Sequence, residues 1–201
     1  MIPRVGIYPA AFDPVHNGHL AFAKAVKDKY HLDKVFFLPE PTPAHKQGVK
    51  ALEHRSNMVH LATANDQSFG LLVLDVQDFD LRYIWPRITS RFLGSELFML
   101  IGNNPVRRLG SWPHTTEFGK QAPTFIIASR NKSLEEVHST IETLLQTKKL
   151  EIPFEILQPD YRTFNAPEIR RIIKAGGKPA GVPQVVYEYI QQNKLYISGA
   201  T

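Results

Sequence analysis

Two histidines at the end of a strand–loop–helix pattern are the most chemically informative residues of this 201-residue chain. An apolar run over Val5–Tyr8 leads into a turn-rich loop, and a helical pattern begins at the segment His16-Asn17-Gly18-His19. Backbone N–H groups at a helix N-terminus attract anions, and a glycine lets a ligand approach the main chain closely. Because positions i and i+3 lie on one side of a helical turn, both histidines can face one phosphate. The stretch therefore predicts a phosphate-binding site.

Short apolar runs alternate with helical patterns along the chain, which is typical of βαβ units in a parallel sheet. The predicted strands are Val5–Tyr8, Lys34–Leu38, Leu71–Val76, Leu97–Ile101, Thr124–Ala128 and Phe154–Leu157. The predicted helices are His19–Tyr30, Leu52–Ala64, Leu134–Leu145, Pro167–Lys174 and Pro183–Gln192. The fold class is thus α/β: one doubly wound, Rossmann-like domain over residues 1–201, with a mostly parallel sheet. Such sheets bind ligands at the carboxyl ends of their strands.

Composition narrows the classes of function. The chain contains no cysteine, which excludes disulfides and thiolate metal sites. We see neither a signal-peptide pattern nor an apolar run of membrane-spanning length, so we expect a cytoplasmic protein with no membrane partner. The net charge of +5 favours anionic partners, but the basic residues are scattered. This favours a phosphorylated small molecule over nucleic acid; the sequence leaves open whether the chain forms a homo-oligomer.

The segment around the two histidines resembles the G-x-F-D-P-x-H-x-G-H signature of the nucleotidyltransferase superfamily typified by the nicotinate-nucleotide adenylyltransferase family. The matching residues are Phe12, Asp13, Pro14, His16, Gly18 and His19. The signature identifies the superfamily and not the substrate, because pantetheine-phosphate adenylyltransferases and cytidylyltransferases use close variants of it. The resemblance implies a Rossmann-like nucleotidyltransferase fold that uses ATP and Mg²⁺. It also implies nucleotide contacts from Tyr8, Ala10, Phe12 and Gly18.

Two further segments resemble the branch that acts on pyridine nucleotides. The loop Pro41–Lys46 is similar to the P-P-H-K loop of that branch, which implies that Lys46 contacts a substrate phosphate. After the fourth predicted strand the family has G-x-D and then a tryptophan, and this chain has Gly102, Asn104 and Trp112. Gly102 would let the main chain approach the ligand, Asn104 would hydrogen-bond ribose hydroxyls in place of the aspartate, and Trp112 would stack on a pyridine ring.

Two other segments depart from the family pattern. The S-Y-T segment of the family falls where this chain has Trp85–Thr89, so Arg87 becomes the candidate partner of a pyridine carboxylate. Near the C-terminus the superfamily has I-S-S-T-x-I-R, whereas this chain has no hydroxyl residue at positions 165–167. Asn165 is expected to cap the helix that begins there and to contact the nucleotide. Arg170 is expected to bind the β- or γ-phosphate, and Arg171 to lie on the surface.

The leading hypothesis is adenylyl transfer from ATP to nicotinate or nicotinamide mononucleotide, with release of pyrophosphate. Such transfers need positioning and charge neutralisation rather than a protein nucleophile. We therefore expect His16, His19 and Arg170 to be the catalytic residues, and Mg²⁺ to be held mainly by the triphosphate, with no dedicated metal ligands. Asp13 is the one nearby carboxylate that could either join the Mg²⁺ or cap the loop.

Two alternatives remain open at this stage. One is another H-x-G-H nucleotidyltransferase of the pantetheine-phosphate or cytidylyl type. The other is a nucleotide-binding homologue without transfer activity, which three departures motivate: Asn104, the absent S-Y-T segment and the lack of hydroxyl residues at 165–167.

Overall fold

A parallel sheet organises the part of the chain that the computed structural model describes, namely residues 1–43, 47–101, 122–129, 133–158 and 164–197. Its strands are β1 (Arg4–Ala10), β2 (Lys34–Pro39), β3 (Phe69–Leu71), β4 (Glu96–Ile101), β5 (Thr124–Ala128) and β6 (Phe154–Leu157). They lie in the order β3-β2-β1-β4-β5-β6, and every neighbouring pair is parallel. The predicted α/β, doubly wound fold is confirmed.

Helices pack on both faces of this sheet. They are α1 (Asn17–Lys29), α2 (Leu52–Thr63), α3 (Leu81–Arg91), α4 (Leu134–Lys148), α5 (Ala166–Lys174) and α6 (Gln184–Gln192). Alternate residues of β1 point to opposite faces, as the two-residue period of a strand requires. Tyr8 joins a core with α1, α2, α5 and α6, whereas Ile7 joins a second core with α3 and α4. The elements that carry the predicted phosphate site therefore share one face.

Two elements differ from the sequence prediction. The third strand was expected at Leu71–Val76 but lies at Phe69–Leu71, where it pairs with β2. The apolar run continues beyond the sheet, and Val73 is 50% exposed. Helix α3 is not among the predicted helices, because Pro86 lies inside it and proline ordinarily breaks a helix interior. Pro86 is exposed, and Ile84 and Ile88 bury the opposite side of α3.

The strand order reverses between β1 and β4, which places a crevice at their carboxyl ends. Open α/β sheets bind ligands at this switch point. The loop after β1 opens into that crevice, and α5 and α6 lie on the same face as α1. Within the described ranges, no helix is long and apolar enough to cross a membrane.

Candidate active site

The loop that joins β1 to α1, here called the motif loop (residues 11–16), is packed into the protein rather than solvated. Phe12 is 1% exposed and adopts a left-handed backbone with φ of 50°. Its ring meets Tyr8 edge-on at 5.4 Å between centroids and meets His19 at 5.0 Å. The aromatic rings of Tyr8 and Phe12 therefore form a rigid floor that sets the position of His19.

The two motif histidines lie together at the start of α1, as the sequence predicts. Their rings stack with centroids 3.6 Å apart and planes inclined by 20°. His16 is the residue just before the helix, and its backbone N–H donates to Nδ1 of His19 at 3.2 Å. Because Nδ1 is the acceptor, a neutral His19 carries its proton on Nε2. His19 is thereby fixed as an N–H donor at Nε2, which suits an anionic ligand.

Gly18 is required for this close arrangement. A Cβ at this position would lie 3.1 Å from Nδ1 and 3.2 Å from Cε1 of His16, and 3.4 Å from the backbone nitrogen of Phe164. Any larger residue would push the imidazole of His16 away from its place over the helix start. The sequence predicts that Gly18 lets a ligand approach the main chain, and the structure shows that a glycine also leaves room for the ring of His16.

The start of α1 is also tied to the loop between α5 and α6. The backbone N–H of Asn17 donates to the carbonyl of Gly181 at 2.7 Å. Gly181 has φ of 82°, and a Cβ there would lie 2.2 Å from the ring of Phe164. The C-terminal part of the chain is thus locked against the helix end that carries the histidines.

Arg170 reaches the motif loop from α5. Its Nη1 donates to the main-chain oxygen of Asp13 at 2.6 Å and lies 3.6 Å from Oδ2 of the same residue. The Arg170 side chain is 36% exposed, so it is only partly buried by these contacts. Asn165 caps α5 by accepting a hydrogen bond from the backbone of Glu168 at 2.8 Å, which confirms the predicted cap. Arg171 instead pairs with Glu168 at 2.7 Å with its side chain 70% exposed, as expected of a surface residue.

Asp13 is buried and connects the motif loop to two distant segments of the chain. The sequence singles out Asp13 but does not predict these contacts. The residue is 4% exposed, and its Oδ1 accepts hydrogen bonds from the Tyr196 hydroxyl at 2.6 Å and from the backbone of Lys50 at 3.3 Å. Tyr196 is absent from the sequence prediction, since no local pattern links residues that are 183 positions apart. Among the residues that the structure describes, no group of three or more acidic or histidine side chains could hold a metal ion.

Arg55 fastens two loops to each other from α2. It is 1% exposed, and its guanidinium donates to the carbonyls of Ala11 at 2.8 Å, Pro41 at 2.9 Å and Lys50 at 2.7 Å. Burial lowers the pKa of Arg55, and the nearby negative charges of Asp13 and Glu40 oppose that shift. These contacts make Arg55 an anchor of the motif loop and of the loop after β2.

Some of the other predicted residues lie in the described part of the structure and some do not. Tyr8 and Ala10 are buried near the end of β1, just before the motif loop. Arg87 lies exposed on α3, where its Nη1 donates to the carbonyl of Tyr83 at 2.8 Å, and no described hydrogen bond joins it to the motif loop. Four predicted residues fall outside the described ranges: Lys46, Gly102, Asn104 and Trp112.

Taken chemically, the described site offers positive charge and N–H donors on one loop. The N-terminus of α1, His19 and Arg170 converge on residues 13–19, each contributing donors or charge that suit phosphate oxygens. Asp13 is the buried carboxylate among them, and its hydrogen bonds already engage it. The arrangement can bind a polyphosphate and neutralise charge that develops on it.

Comparison with known proteins shows which sequences the chain is similar to. A family model described as cytidylyltransferase-like matches residues 7–170. A curated protein of Dictyoglomus turgidum, described as a probable nicotinate-nucleotide adenylyltransferase, is 32% identical over 198 residues, which is 96% of this chain and 95% of the relative. A protein of Neisseria meningitidis with the same description is 28% identical over 197 residues, covering 96% of this chain and 98% of its own.

The fold also matches a solved structure. Plasmodium falciparum nicotinic acid mononucleotide adenylyltransferase complexed with NaAD superposes with a TM-score of 0.75 at 15% identity, covering 96% of this chain and 97% of that one. At this level of identity the likeness shows the fold, a parallel sheet flanked by helices.

Proposed function

Since the chain belongs to the nicotinate-nucleotide adenylyltransferase family of cytidylyltransferase-like nucleotidyltransferases, we propose that it transfers the adenylyl group of ATP to nicotinate mononucleotide. A phosphate oxygen of the mononucleotide attacks the α-phosphorus of ATP and forms a new P–O bond. The bond from the α-phosphorus to its bridging oxygen breaks, and pyrophosphate leaves with the electron pair. The product is a dinucleotide of NAD biosynthesis.

The observation that carries this proposal is that Arg170 of α5 reaches the buried motif loop, which ends at His16 and leads into His19 on α1. Nε2–H of His19 would donate to a phosphate oxygen and stabilise the negative charge that develops as pyrophosphate departs. Arg170 would bind the β- or γ-phosphate with N–H groups of its partly exposed side chain. No protein nucleophile is needed, because positioning and charge neutralisation suffice for phosphoryl-type transfer.

ATP would occupy the crevice at the carboxyl ends of β1 and β4, with its phosphates at the N-terminus of α1. It would enter as MgATP, since Mg²⁺ keeps several waters and is commonly held through substrate phosphates. Asp13 is a poor additional ligand: one carboxylate oxygen accepts the Tyr196 hydroxyl and the other faces Arg170. The chain's own contribution is therefore cationic and hydrogen-bonding.

The choice of nicotinate mononucleotide rests on the names of the relatives and on Lys46 and Trp112, which match the pyridine-nucleotide branch. Arg87 is a weaker argument. It lies in the second turn of α3 and already donates to Tyr83, so it would have to leave that carbonyl to meet a pyridine carboxylate. A charged bidentate pair with arginine would favour nicotinate over the neutral nicotinamide ring.

The test is an acceptor panel at fixed MgATP, with pyrophosphate release as the readout. We expect the highest initial rate with nicotinate mononucleotide, a lower rate with nicotinamide mononucleotide, and background release with phosphopantetheine. Trp112→Ala is expected to raise KM for the pyridine acceptor while KM for ATP stays the same. A preference for phosphopantetheine would contradict the acceptor assignment, and ATP binding without transfer to any acceptor would contradict the proposed reaction.

A further inference from the structure

The segment after α6 contains two residues with an unusual backbone conformation, and the way the helix ends accounts for only one of them. Lys194 and Tyr196 have φ of 50° and 64°, in the left-handed region that residues with side chains seldom adopt. At Lys194 this conformation belongs to a Schellman motif, because the N–H of Leu195 donates to Ile190 at 2.9 Å and that of Lys194 to Gln191 at 3.2 Å. The motif makes no such demand on Tyr196.

The side chain of Tyr196 supplies the missing reason. Its hydroxyl donates to Oδ1 of Asp13 at 2.6 Å, the residue is 9% exposed, and the ammonium of Lys50 lies 5.8 Å from its ring centroid. Burial and the adjacent carboxylate of Asp13 raise the pKa of Tyr196, so the hydroxyl keeps its proton and acts as the donor. The unfavourable backbone is held in place by this bond to the motif loop.

The same carboxylate faces Arg170. Oδ2 of Asp13 lies 3.6 Å from Nη1 of Arg170, which is beyond a direct hydrogen bond, while that nitrogen donates to the main-chain oxygen of Asp13 at 2.6 Å. Because the Tyr196 hydroxyl holds Oδ1, the carboxylate cannot turn both of its oxygens toward the guanidinium. Arg170 is therefore oriented by Asp13 without forming a close, bidentate ion pair.

We propose that Tyr196 is a positioning residue for ATP: it restrains Asp13, so that Arg170 stays available to the triphosphate. Without the hydroxyl, the Asp13 carboxylate turns toward Arg170 and competes with phosphate for its N–H groups. The competition acts on the free enzyme, so it weakens ATP binding and leaves the bound complex unchanged. This inference rests on the proposed role of Arg170 in binding the triphosphate.

The test compares Tyr196→Phe with Tyr189→Phe, a matched loss of a hydroxyl on α6. The Tyr189 hydroxyl lies 2.9 Å from Nδ1 of His54 and accepts from Asn57 at 3.1 Å, away from Asp13. Calorimetric titration with MgATP is expected to show Kd raised about five- to tenfold in Tyr196→Phe, the size of one typical hydrogen bond. KM for ATP is expected to rise by the same factor with kcat nearly unchanged, and Tyr189→Phe to match the wild type.

Two double variants decide whether the effect passes through Asp13 and Arg170. In an Arg170→Ala background, Tyr196→Phe is expected to cause no further loss of ATP affinity. In an Asp13→Asn background, Tyr196→Phe is likewise expected to cause no further loss of ATP affinity, because a neutral amide competes weakly for the guanidinium. This second pair keeps the test decisive if Tyr196→Phe alone does not fold, since neither of its members carries the buried carboxylate that loses its donor.

Different results would contradict the positioning role of Tyr196 and the proposed function. Wild-type ATP affinity in Tyr196→Phe, or an equal loss of affinity from Tyr196→Phe in the Arg170→Ala or the Asp13→Asn background, would each overturn the positioning role. A wild-type protein that does not bind MgATP would overturn the proposed function and this inference with it.

Discussion

The backbone N–H of His16 donates to Nδ1 of His19 while the two imidazoles stack 3.6 Å apart. One residue therefore sets both the tautomer and the orientation of the other. The two rings differ in exposure, since His16 is buried and His19 is only partly buried.

His19 is expected to act chiefly in the transition state. His19→Ala should fold normally and lose about 10²–10³ in turnover, the usual cost of removing one donor that stabilises developing charge. His19→Gln, whose amide nitrogen can approach the place of Nε2, is expected to retain more activity than His19→Asn, whose amide is closer to the place of Nδ1. Steady-state kinetics at saturating MgATP measures both. Equal rates for Gln and Asn would contradict the assigned donor atom, and near wild-type turnover in His19→Ala would remove the catalytic role.

Arg170 and Arg171 provide an internal comparison between adjacent residues. Arg170→Ala is expected to weaken MgATP binding about tenfold or more, because it removes a charge-assisted contact to phosphate. Arg171→Ala should barely change the affinity, since its guanidinium pairs with Glu168 on the surface. Calorimetry gives both dissociation constants, and equal effects would show that the phosphate-binding arginine is misassigned.

Gly18→Ala is expected to reduce turnover about 10- to 100-fold through displacement of a neighbouring ring. The added methyl would lie 3.1 Å from Nδ1 of His16, closer than ordinary contact. Gly94→Ala is the control, since a Cβ there meets nothing within 4 Å, and it should lower thermal stability without changing turnover. A folded Gly18→Ala enzyme with wild-type kcat would show that the position of His16 is unimportant.

Arg55→Met is expected to destabilise the protein by about 3 kcal/mol, because one buried and two partly buried carbonyls lose their donor. Arg55→Lys should recover only part of this loss, since an ammonium cannot span three acceptors with the geometry of a guanidinium. Urea denaturation measures the free energy of unfolding, with Arg171→Met as an exposed control. A loss below about 1 kcal/mol in Arg55→Met would contradict the anchoring role.

The sequence predicted what depends on local pattern. The strand, loop and helix around His16 and His19, the cap at Asn165 and the surface position of Arg171 all follow from short-range spacing, and each is confirmed. Predictions from sequence pattern were wrong where contacts with other parts of the protein determine the local structure. The apolar run at residues 71–76 leaves the sheet after Leu71, which pairs with Phe37 of β2, and Pro86 is tolerated in α3 because it faces solvent.

Long-range contacts were beyond the reach of sequence reasoning. Tyr196 meets Asp13 across 183 positions, and Gly181 accepts a bond from Asn17 although neither residue stands out in its own segment. The predictions for Lys46, Gly102, Asn104 and Trp112 stay predictions, since these residues lie outside the described ranges.

The fate of the α-phosphorus is the most direct test of direct adenylyl transfer. ATP labelled at the α-phosphate is mixed with Mg²⁺, the enzyme and nicotinate mononucleotide, and the label is located in quenched samples. If transfer is direct, the label passes straight into a dinucleotide at the same rate as pyrophosphate is released. No label becomes attached to the protein, whether or not the acceptor is present. Label held covalently on the protein, or label recovered only as AMP, would contradict direct transfer at the His16–His19 site.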